Sequence, residues 1–234
     1  MVTKPTGDAN KMKSEIKRSF VDTLPVMAGY LVLGVGFGVL MKSNGYGVLW
    51  TLGMSLFIYA GSMQYLAVSL LTAGASLISA AVTTLMVNAR HLFYGISMVD
   101  KYKNAGWIKP YLIFALSDET YSLVCNVNHS RAYYFFVSLF DQIYWICGSV
   151  LGAILGSVLK FNTAGIDFAL TALFITVFID QWRTAEKHRW AAIGALISVV
   201  CLLVFGAEKF LIPSMLIITA VLLAIHTKGD ARNE

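Results

Sequence analysis

Charged residues are scarce in this chain. Asp, Glu, Lys and Arg together make up 13% of its 234 residues, whereas about a quarter of the residues of an average soluble domain are charged. Hydrophobic residues make up 57%, and the mean hydropathy is +0.68. A water-soluble domain could not cover that much apolar surface with so few polar side chains. The composition therefore excludes an ordinary soluble domain and predicts a membrane protein.

Long runs without charge indicate where the membrane-spanning helices lie. The longest run, Ser43 to Ala89, has 47 residues without an acidic or basic side chain. Other runs are near or above the roughly 18 residues that indicate a transmembrane helix. We predict an all-α, polytopic helical membrane protein with about eight transmembrane segments. These segments lie near residues 25–41, 48–72, 76–99, 110–126, 132–159, 166–181, 190–206 and 210–226.

The distribution of basic residues predicts the orientation. We expect residues 1–24 to form a basic cytoplasmic N-terminal segment, followed by a single transmembrane domain over 25–226 and a short tail over 227–234. Eight crossings then place eleven Lys and Arg residues inside and six outside, as the positive-inside rule requires. If the segment 110–126 dipped into the membrane and returned, the count would become seven inside and ten outside. A full crossing by this segment is therefore the better prediction.

Cysteine is also rare, and several catalytic motifs are missing. Cys125, Cys147 and Cys201 lie far apart, with no C-x-x-C pair and no histidine spacing for zinc or haem. We interpret them as packing residues and expect no metal or cofactor. The sequence has no Walker A motif that would bind ATP, no H-E-x-x-H and no G-x-S-x-G. A membrane-embedded enzyme would therefore lack a recognisable metal set or nucleophile.

A weak internal repeat relates two parts of the chain. At an offset of 118, residues 32–52 match residues 150–170 at eight of 21 positions. Glycines four residues apart share one helix face and let helices approach closely in lipid, so we interpret them as packing positions. Duplicated halves, here 25–126 and 132–226, are also typical of secondary transporters. Eight spans would make the halves parallel, and seven would make them inverted. The matched residues other than Val and Leu are Gly34, Gly38, Lys42, Asn44 and Gly47.

The span over 48–72 carries the polar stretch "YAGSMQ", Tyr59 to Gln64, in its middle. As one helix it would measure about 37 Å, longer than the roughly 30 Å hydrocarbon core. The simpler interpretation is a continuous tilted helix with a face of small residues. The functional one is a helix broken at Gly61 and Ser62, whose freed amides bind an anionic group of a substrate.

The stretch "ALSDETY" places Asp118 and Glu119 side by side, far from either end of the predicted span over 110–126. A carboxylate in a membrane is costly unless it is protonated, paired or hydrated, which favours a functional role. Adjacent residues point about 100° apart on a helix, so the two carboxylates can hardly serve one partner. The alternatives are a salt bridge to Arg90 that holds the bundle together, or a segment at the membrane surface.

The stretch "LMVNARHLFYG" gives the span over 76–99 two polar faces. On a continuous helix, Asn88 and His91 share one face, and Arg90 and Tyr94 share another. Neither face suits lipid, so this helix is expected to border protein or a wet cavity. Arg90 lies about 15 Å before Asp100, too deep to reach the interface easily. His91 is equally well interpreted as a hydrogen-bonded core histidine or as a proton carrier.

Three of these motifs carry a family resemblance. The stretches "YAGSMQY", "NARHLFYG" and "SDETY", in this order after "DTLPVMAGYLVLGVGFG", resemble the AzlC family of branched-chain amino acid exporters. The resemblance covers the chain from about Asp22 to the last span. It implies secondary export of hydrophobic amino acids across a bacterial cytoplasmic membrane. It also implies a small integral membrane partner of the AzlD type.

Together these patterns predict a site for a zwitterionic amino acid near the middle of the membrane. Arg90, or the amides at Gly61 and Ser62, would hold the substrate carboxylate, and Asp118 or Glu119 would hold its ammonium. Proton coupling would use a carboxylate or a histidine. A membrane-embedded enzyme and a structural subunit without transport remain alternatives. The predicted substrate-binding residues are Asn88, Arg90, Tyr94, Tyr59, Gly61, Ser62 and Gln64; the predicted proton-coupling residues are Asp118, Glu119 and His91.

Overall fold

A computed structural model describes most of the chain. The described residues are 6–125, 127–158, 175, 178–179, 182–183, 188–206, 210 and 213–221. The chain divides into one compact unit of residues 1–80 and 91–170 and a second of residues 81–90 and 171–234. Over these described ranges the structure is helical without a strand, which confirms the all-α prediction. The helices are α1 (Thr6–Ser43), α2 (Val48–Phe57), α3 (Gly61–Thr72), α4 (Leu77–Asn88), α5 (Arg90–Tyr102), α6 (Lys109–Phe114), α7 (Asp118–Val124), α8 (Arg131–Val158) and α9 (His188–Phe205).

The first helix is much longer than the span predicted inside it. α1 has 38 residues and continues through Pro25, so it measures about 57 Å. The span predicted over 25–41 is the second part of this helix, and most of the basic N-terminal residues belong to its first part. Three helices of the described ranges are long and apolar enough to cross a membrane. They are Asn10–Ser43, Arg131–Val158 and His188–Phe205.

α1 and α8 pack along their lengths and run parallel. The Ser19 hydroxyl donates to the Tyr133 carbonyl at 3.3 Å, and near the other end a Cβ on Gly156 would lie 3.2 Å from Cβ of Lys42. Two parallel spanning helices enter the membrane from the same side, so an odd number of crossings must lie between them. Full crossings by the three predicted segments from residue 48 to residue 126 meet this requirement. The total of eight spans stays a prediction.

Glycines bring the two backbones together. A Cβ on Gly38 would overlap the Ser149 carbonyl oxygen, and a Cβ on Gly152 would overlap the Val35 carbonyl oxygen. Only glycine permits such an approach, which is the small-residue packing used between helices in lipid. The interpretation of the glycine pairs as packing positions is therefore confirmed. The repeat itself stays a prediction, because most of its second copy lies outside the described residues.

Three of the predicted spans are broken into pairs of helices. The segment 48–72 is interrupted at residues 58–60, the segment 76–99 at Ala89, and the segment 110–126 at residues 115–117. The preference for one continuous tilted helix over 48–72 was wrong. The expectation of one continuous helix through Asn88 and His91 was also wrong, because the helix stops at Asn88 and restarts at Arg90; Arg90 and Tyr94 both lie in α5.

The second unit is described only in part. α9 is exposed along most of its length, with Cys201 buried, and the Arg189 guanidinium lies 4.5 Å from the centre of the Trp190 ring. Residues 213–221 are helical within the last predicted span. The span predicted over 166–181 lies almost wholly outside the described residues.

Candidate functional site

The break between α2 and α3 lies where the sequence suggested one. Tyr59 is buried and has a φ of +43°, a left-handed conformation that is uncommon for a residue with a side chain. α3 then begins at Gly61, and the Gln64 N–H makes the first bond of the new helix, to the Ala60 carbonyl at 2.8 Å. The N–H groups of a first helical turn point out of the helix end, where the helix dipole is positive. The break thus places the positive end of a helix inside an otherwise apolar segment.

Gln64 fixes this break to the neighbouring helices. Its side-chain amide donates to the Ser55 hydroxyl of α2 at 3.3 Å and accepts from the Trp145 indole N–H of α8 at 2.9 Å. Ser62 is buried at the start of the same helix. A Cβ on Gly61 would lie 3.1 Å from the Trp145 ring, so the first turn of α3 packs directly on this indole. The contacts of Gln64 position the helix end.

The second break, between α6 and α7, holds the acidic pair. Ser117 caps α7, because its hydroxyl accepts from the Thr120 N–H at 3.1 Å. Asp118 and Glu119 occupy the first turn, where the helix dipole favours negative charge. The Tyr30 hydroxyl of α1 lies 2.7 Å from both the Ser117 hydroxyl and Oε2 of Glu119. Glu119 therefore points at α1, and Asp118 begins the helix as a half-buried residue.

The sequence analysis missed a third carboxylate, Asp141, in the middle of α8. Its exposed fraction is 0%, and its Oδ2 accepts from the Thr120 hydroxyl at 2.7 Å. The next residue, Gln142, accepts from the Tyr111 hydroxyl of α6 at 2.8 Å. The sequence alone pointed to Asp141, because an acidic residue far inside an apolar span is as costly there as it is at the acidic pair of α7. The stretch "LFDQIYW" carries the same signal as "ALSDETY".

The two breaks meet on the same part of the first unit. The Tyr59 and Phe114 rings, one beside each break, are 6.2 Å apart. The Tyr30 ring of α1, whose hydroxyl contacts α7, packs edge-on against Trp145 of α8, which contacts α3; the ring centres are 5.5 Å apart. We call this arrangement the break site: residues 58–60 and 115–117, the first turns of α3 and α7, and the side chains of Tyr30, Asp141 and Trp145. It brings together the predicted residues Tyr59, Gly61, Ser62, Gln64, Asp118 and Glu119.

The remaining predicted site residues lie near the interruption at Ala89, between α4 and α5. Tyr94 stacks on Tyr121 of α7 with ring centres 4.4 Å apart, and the His91 ring lies 5.6 Å from that of Tyr94. These two residues of α5 are thereby joined to the helix that carries the acidic pair. Asn88 and Arg90 flank Ala89 and belong to the second unit. Both are half-buried, and their predicted roles stay predictions.

Comparison with known proteins gives the family. A family model described as "AzlC protein" matches residues 25–159, the stretch that contains all three interruptions and the whole of α8. The chain belongs to the AzlC family. This confirms the resemblance carried by the three motifs, and with the apolar helices it identifies a multi-pass protein of the bacterial cytoplasmic membrane.

Several curated relatives match over most of their length. One is the "Branched-chain amino acid transport protein AzlC" of Bacillus subtilis strain 168, 45% identical over 90% of this chain and 85% of that protein. An "Uncharacterized membrane protein" of Helicobacter pylori strain 26695 is 40% identical, over 88% of this chain and 93% of its own. The "Inner membrane protein YgaZ" of Escherichia coli K12 is 28% identical, over 82% and 81%. No solved structure matches the chain.

Proposed function

We propose that this AzlC-family protein is a secondary active transporter that exports branched-chain and related hydrophobic amino acids from the bacterial cytoplasm. The main observation that supports this proposal is the pair of interrupted helices that meet at the break site. Interrupted helices with exposed dipole ends form the substrate sites of many secondary transporters. The name of the Bacillus subtilis relative supports the substrate class. A zwitterion fits the site because its carboxylate can bind at the positive first turn of α3 and its ammonium can bind the Glu119 carboxylate.

In this proposal the substrate carboxylate binds at the first turn of α3, near Gly61 and Ser62, and the ammonium binds Glu119. The Tyr59, Phe114 and Trp145 rings supply apolar walls for the side chain. Such walls distinguish one methylene by only about 1–3 kcal/mol. We therefore expect leucine, isoleucine, valine and methionine all to be transported, and glutamate and lysine to be excluded.

Arg90 is a second candidate for the substrate carboxylate, because guanidinium binds carboxylate in a planar, two-pronged geometry. Arg90→Lys keeps the charge and loses this geometry. A binding role predicts a folded protein whose thermal stabilisation by leucine is sharply reduced. Unchanged leucine affinity would leave Arg90 as a structural residue, for example in an ion pair.

The small partner subunit is proposed from the family resemblance. The glycine faces of α1 and α8, which could have received another helix, pack against each other instead, so they do not support a partner site. We expect weak transport by this chain alone and full transport with an AzlD-type subunit. Equal leucine flux in liposomes with and without that subunit would contradict this expectation.

Transport itself is tested in liposomes and in cells. Purified protein, with and without the small subunit, should exchange labelled leucine across the liposome membrane, and a pH gradient should drive net movement. Protein-free liposomes and labelled glutamate are the controls. Cells without the gene should accumulate free valine and leucine when fed dipeptides. Conversion of leucine into another compound would indicate an enzyme, and absence of flux in every combination would favour a structural subunit.

A further inference from the structure

An unbroken chain of hydrogen bonds joins two carboxylates through three hydroxyl side chains. From Glu119, the chain passes to the Tyr30 hydroxyl at 2.7 Å and to the Ser117 hydroxyl at 2.7 Å. It continues to the Thr120 hydroxyl at 3.0 Å and ends at Oδ2 of Asp141 at 2.7 Å. The chain joins α1, α7 and α8 across the break site. All four links are within the range of good O–H···O hydrogen bonds.

The direction of the links follows from the proton count of each group. An ionised Asp141 can only accept, so the Thr120 hydroxyl must donate its single proton to it. Thr120 must then accept from Ser117, and Ser117 from Tyr30. The Tyr30 proton is shared between Ser117 and Oε2 of Glu119. Every hydroxyl in the chain is thus aligned to pass a proton toward Asp141.

Asp141 is poorly suited to a permanent charge. It is fully buried, and its Oδ1 accepts no hydrogen bond from any residue within the described ranges. A buried carboxylate with one hydroxyl donor remains costly, and at membrane depth such residues are functional by default. The titratable groups that face it from the surrounding elements are Tyr30 of α1, Tyr59 of the first break, Tyr111 of α6, Glu119 of α7 and Tyr133 of its own helix.

We propose that Asp141 is a proton carrier and that the hydroxyls of Tyr30, Ser117 and Thr120 relay one proton between it and Glu119. Protonated Glu119 gives its proton to the Tyr30 oxygen, and Tyr30 passes its own proton to Ser117. Ser117 then passes its proton to Thr120, and Thr120 to Asp141. Glu119 ends as a carboxylate, Asp141 ends as a neutral acid, and each hydroxyl ends neutral. This assignment rests on the proposed function.

The relay explains how one carboxylate could serve both substrate and proton. Glu119 becomes ionised when its proton moves to Asp141, and it can then bind the substrate ammonium. For net exchange, the proton on Asp141 must leave to the cytoplasm while the substrate is bound, and Glu119 must take up another proton from the outer side once the substrate has left. Substrate and proton therefore alternate at Glu119, which is the requirement for exchanging one against the other.

Variants that remove single hydroxyls test the relay in proteoliposomes. In Thr120→Val and Tyr30→Phe, the proton movement per leucine exchanged, read with a trapped pH dye and compared at the leucine flux that each variant retains, should fall to the protein-free level. Asp141→Asn should behave in the same way. Thr120→Ser keeps the hydroxyl that Thr120→Val removes, so its proton movement per leucine should equal that of the parent.

Matched controls come from a second hydroxyl contact in the same bundle. The Thr23 hydroxyl of α1 lies 3.3 Å from the Tyr144 hydroxyl of α8, and Thr23 is buried like Tyr30 and Thr120 of the relay. Thr23→Val and Tyr144→Phe should leave proton movement per leucine unchanged. Proton-coupled transport at the parental level in both Thr120→Val and Tyr30→Phe would overturn the relay.

Infrared spectroscopy separates failure of the relay from failure of the proposed function. Lowering the pH of the purified protein should produce a protonated carboxyl band that Asp141→Asn removes and Thr120→Val shifts, with Thr120→Ser close to the parent. If these bands appear but no amino acid is moved, the proposed function fails, while Asp141 is still shown to bind a proton. If Asp141→Asn leaves every protonated carboxyl band unchanged, Asp141 carries no proton and the relay is wrong.

Discussion

Glu119 and Asp141 are carboxylates in the same bundle with different local surroundings. Glu119 lies in the first turn of α7, where the helix dipole stabilises a negative charge by about 0.3–1 kcal/mol and by more when partly buried. Asp141 lies in the interior of α8, where it has a single hydroxyl donor among the described residues. Glu119 therefore suits a cationic partner, and Asp141 suits a proton.

Removing the charge of Glu119 should abolish substrate binding. Glu119→Gln keeps an oxygen that can accept from Tyr30, so the contact between α1 and α7 is retained and the protein should fold. Because the substrate ammonium loses its counter-charge, leucine should no longer raise the thermal unfolding temperature. Asp100→Asn, at an exposed acidic position of α5, is the control and should bind leucine normally. Normal leucine binding by Glu119→Gln would show that the ammonium binds elsewhere.

The variant Gly61→Ala tests whether the first turn of α3 binds the substrate carboxylate. A methyl group there would lie 3.1 Å from the Trp145 ring, so Gly61→Ala must displace the indole or the first turn of α3. We expect weaker leucine binding and a stability cost of about 1 kcal/mol or more. Gly53→Ala in α2 is the matched control, because nothing lies within 4 Å of the added carbon. If both variants bind leucine alike, the first turn of α3 does not hold the substrate.

The sequence predicted these residues unevenly, for physical reasons. Polar residues are rare at membrane depth, so "YAGSMQ" and "SDETY" stood out. The same rarity applies to Asp141, which the sequence analysis did not include among the predicted site residues. The position of the first break depends on a positive φ at Tyr59, which no residue preference predicts for tyrosine. The contact between Gln64 and Trp145 joins positions 81 apart in the chain, so it required the tertiary structure.

At the scale of helices, the contact between α1 and α8 supports both breaks. Each carries side chains that hold a broken helix: Tyr30 of α1 contacts the start of α7, and Trp145 of α8 contacts the start of α3. The spacing of Gly34 and Gly38 predicted a close helix contact but could not identify α8 as the partner. The long helices α1 and α8 therefore hold the broken helices in position.

This contact is tested at Gly38. An alanine there would overlap the Ser149 backbone, and backbone cannot move aside as a flexible side chain can. We expect Gly38→Ala to lose about 1–3 kcal/mol or more of stability and to transport poorly. Gly29→Ala, in the same helix with nothing within 4 Å of the added carbon, should be neutral or stabilising by about 0.5–1 kcal/mol. Thermal unfolding of the two purified variants distinguishes these outcomes, and equal stability would mean that the helices pack less closely.

For the whole molecule, the parallel direction of α1 and α8 predicts which loops share a side of the membrane. Asn44 follows α1 and Ser157 lies at the end of α8, so both should face outward, whereas Asn128 before α8 should face the cytoplasm. The excess of basic residues at the N-terminal side predicts that this side is the cytoplasmic one. In a variant with Cys125, Cys147 and Cys201 replaced by serine, single cysteines at the three positions can be labelled in intact cells with an impermeant maleimide. Labelling at positions 44 and 157 but not at 128 is expected, with labelling of lysed cells as the control. If position 128 is labelled in intact cells together with position 44, an even number of crossings separates α1 from α8, and the segment over 110–126 does not cross fully.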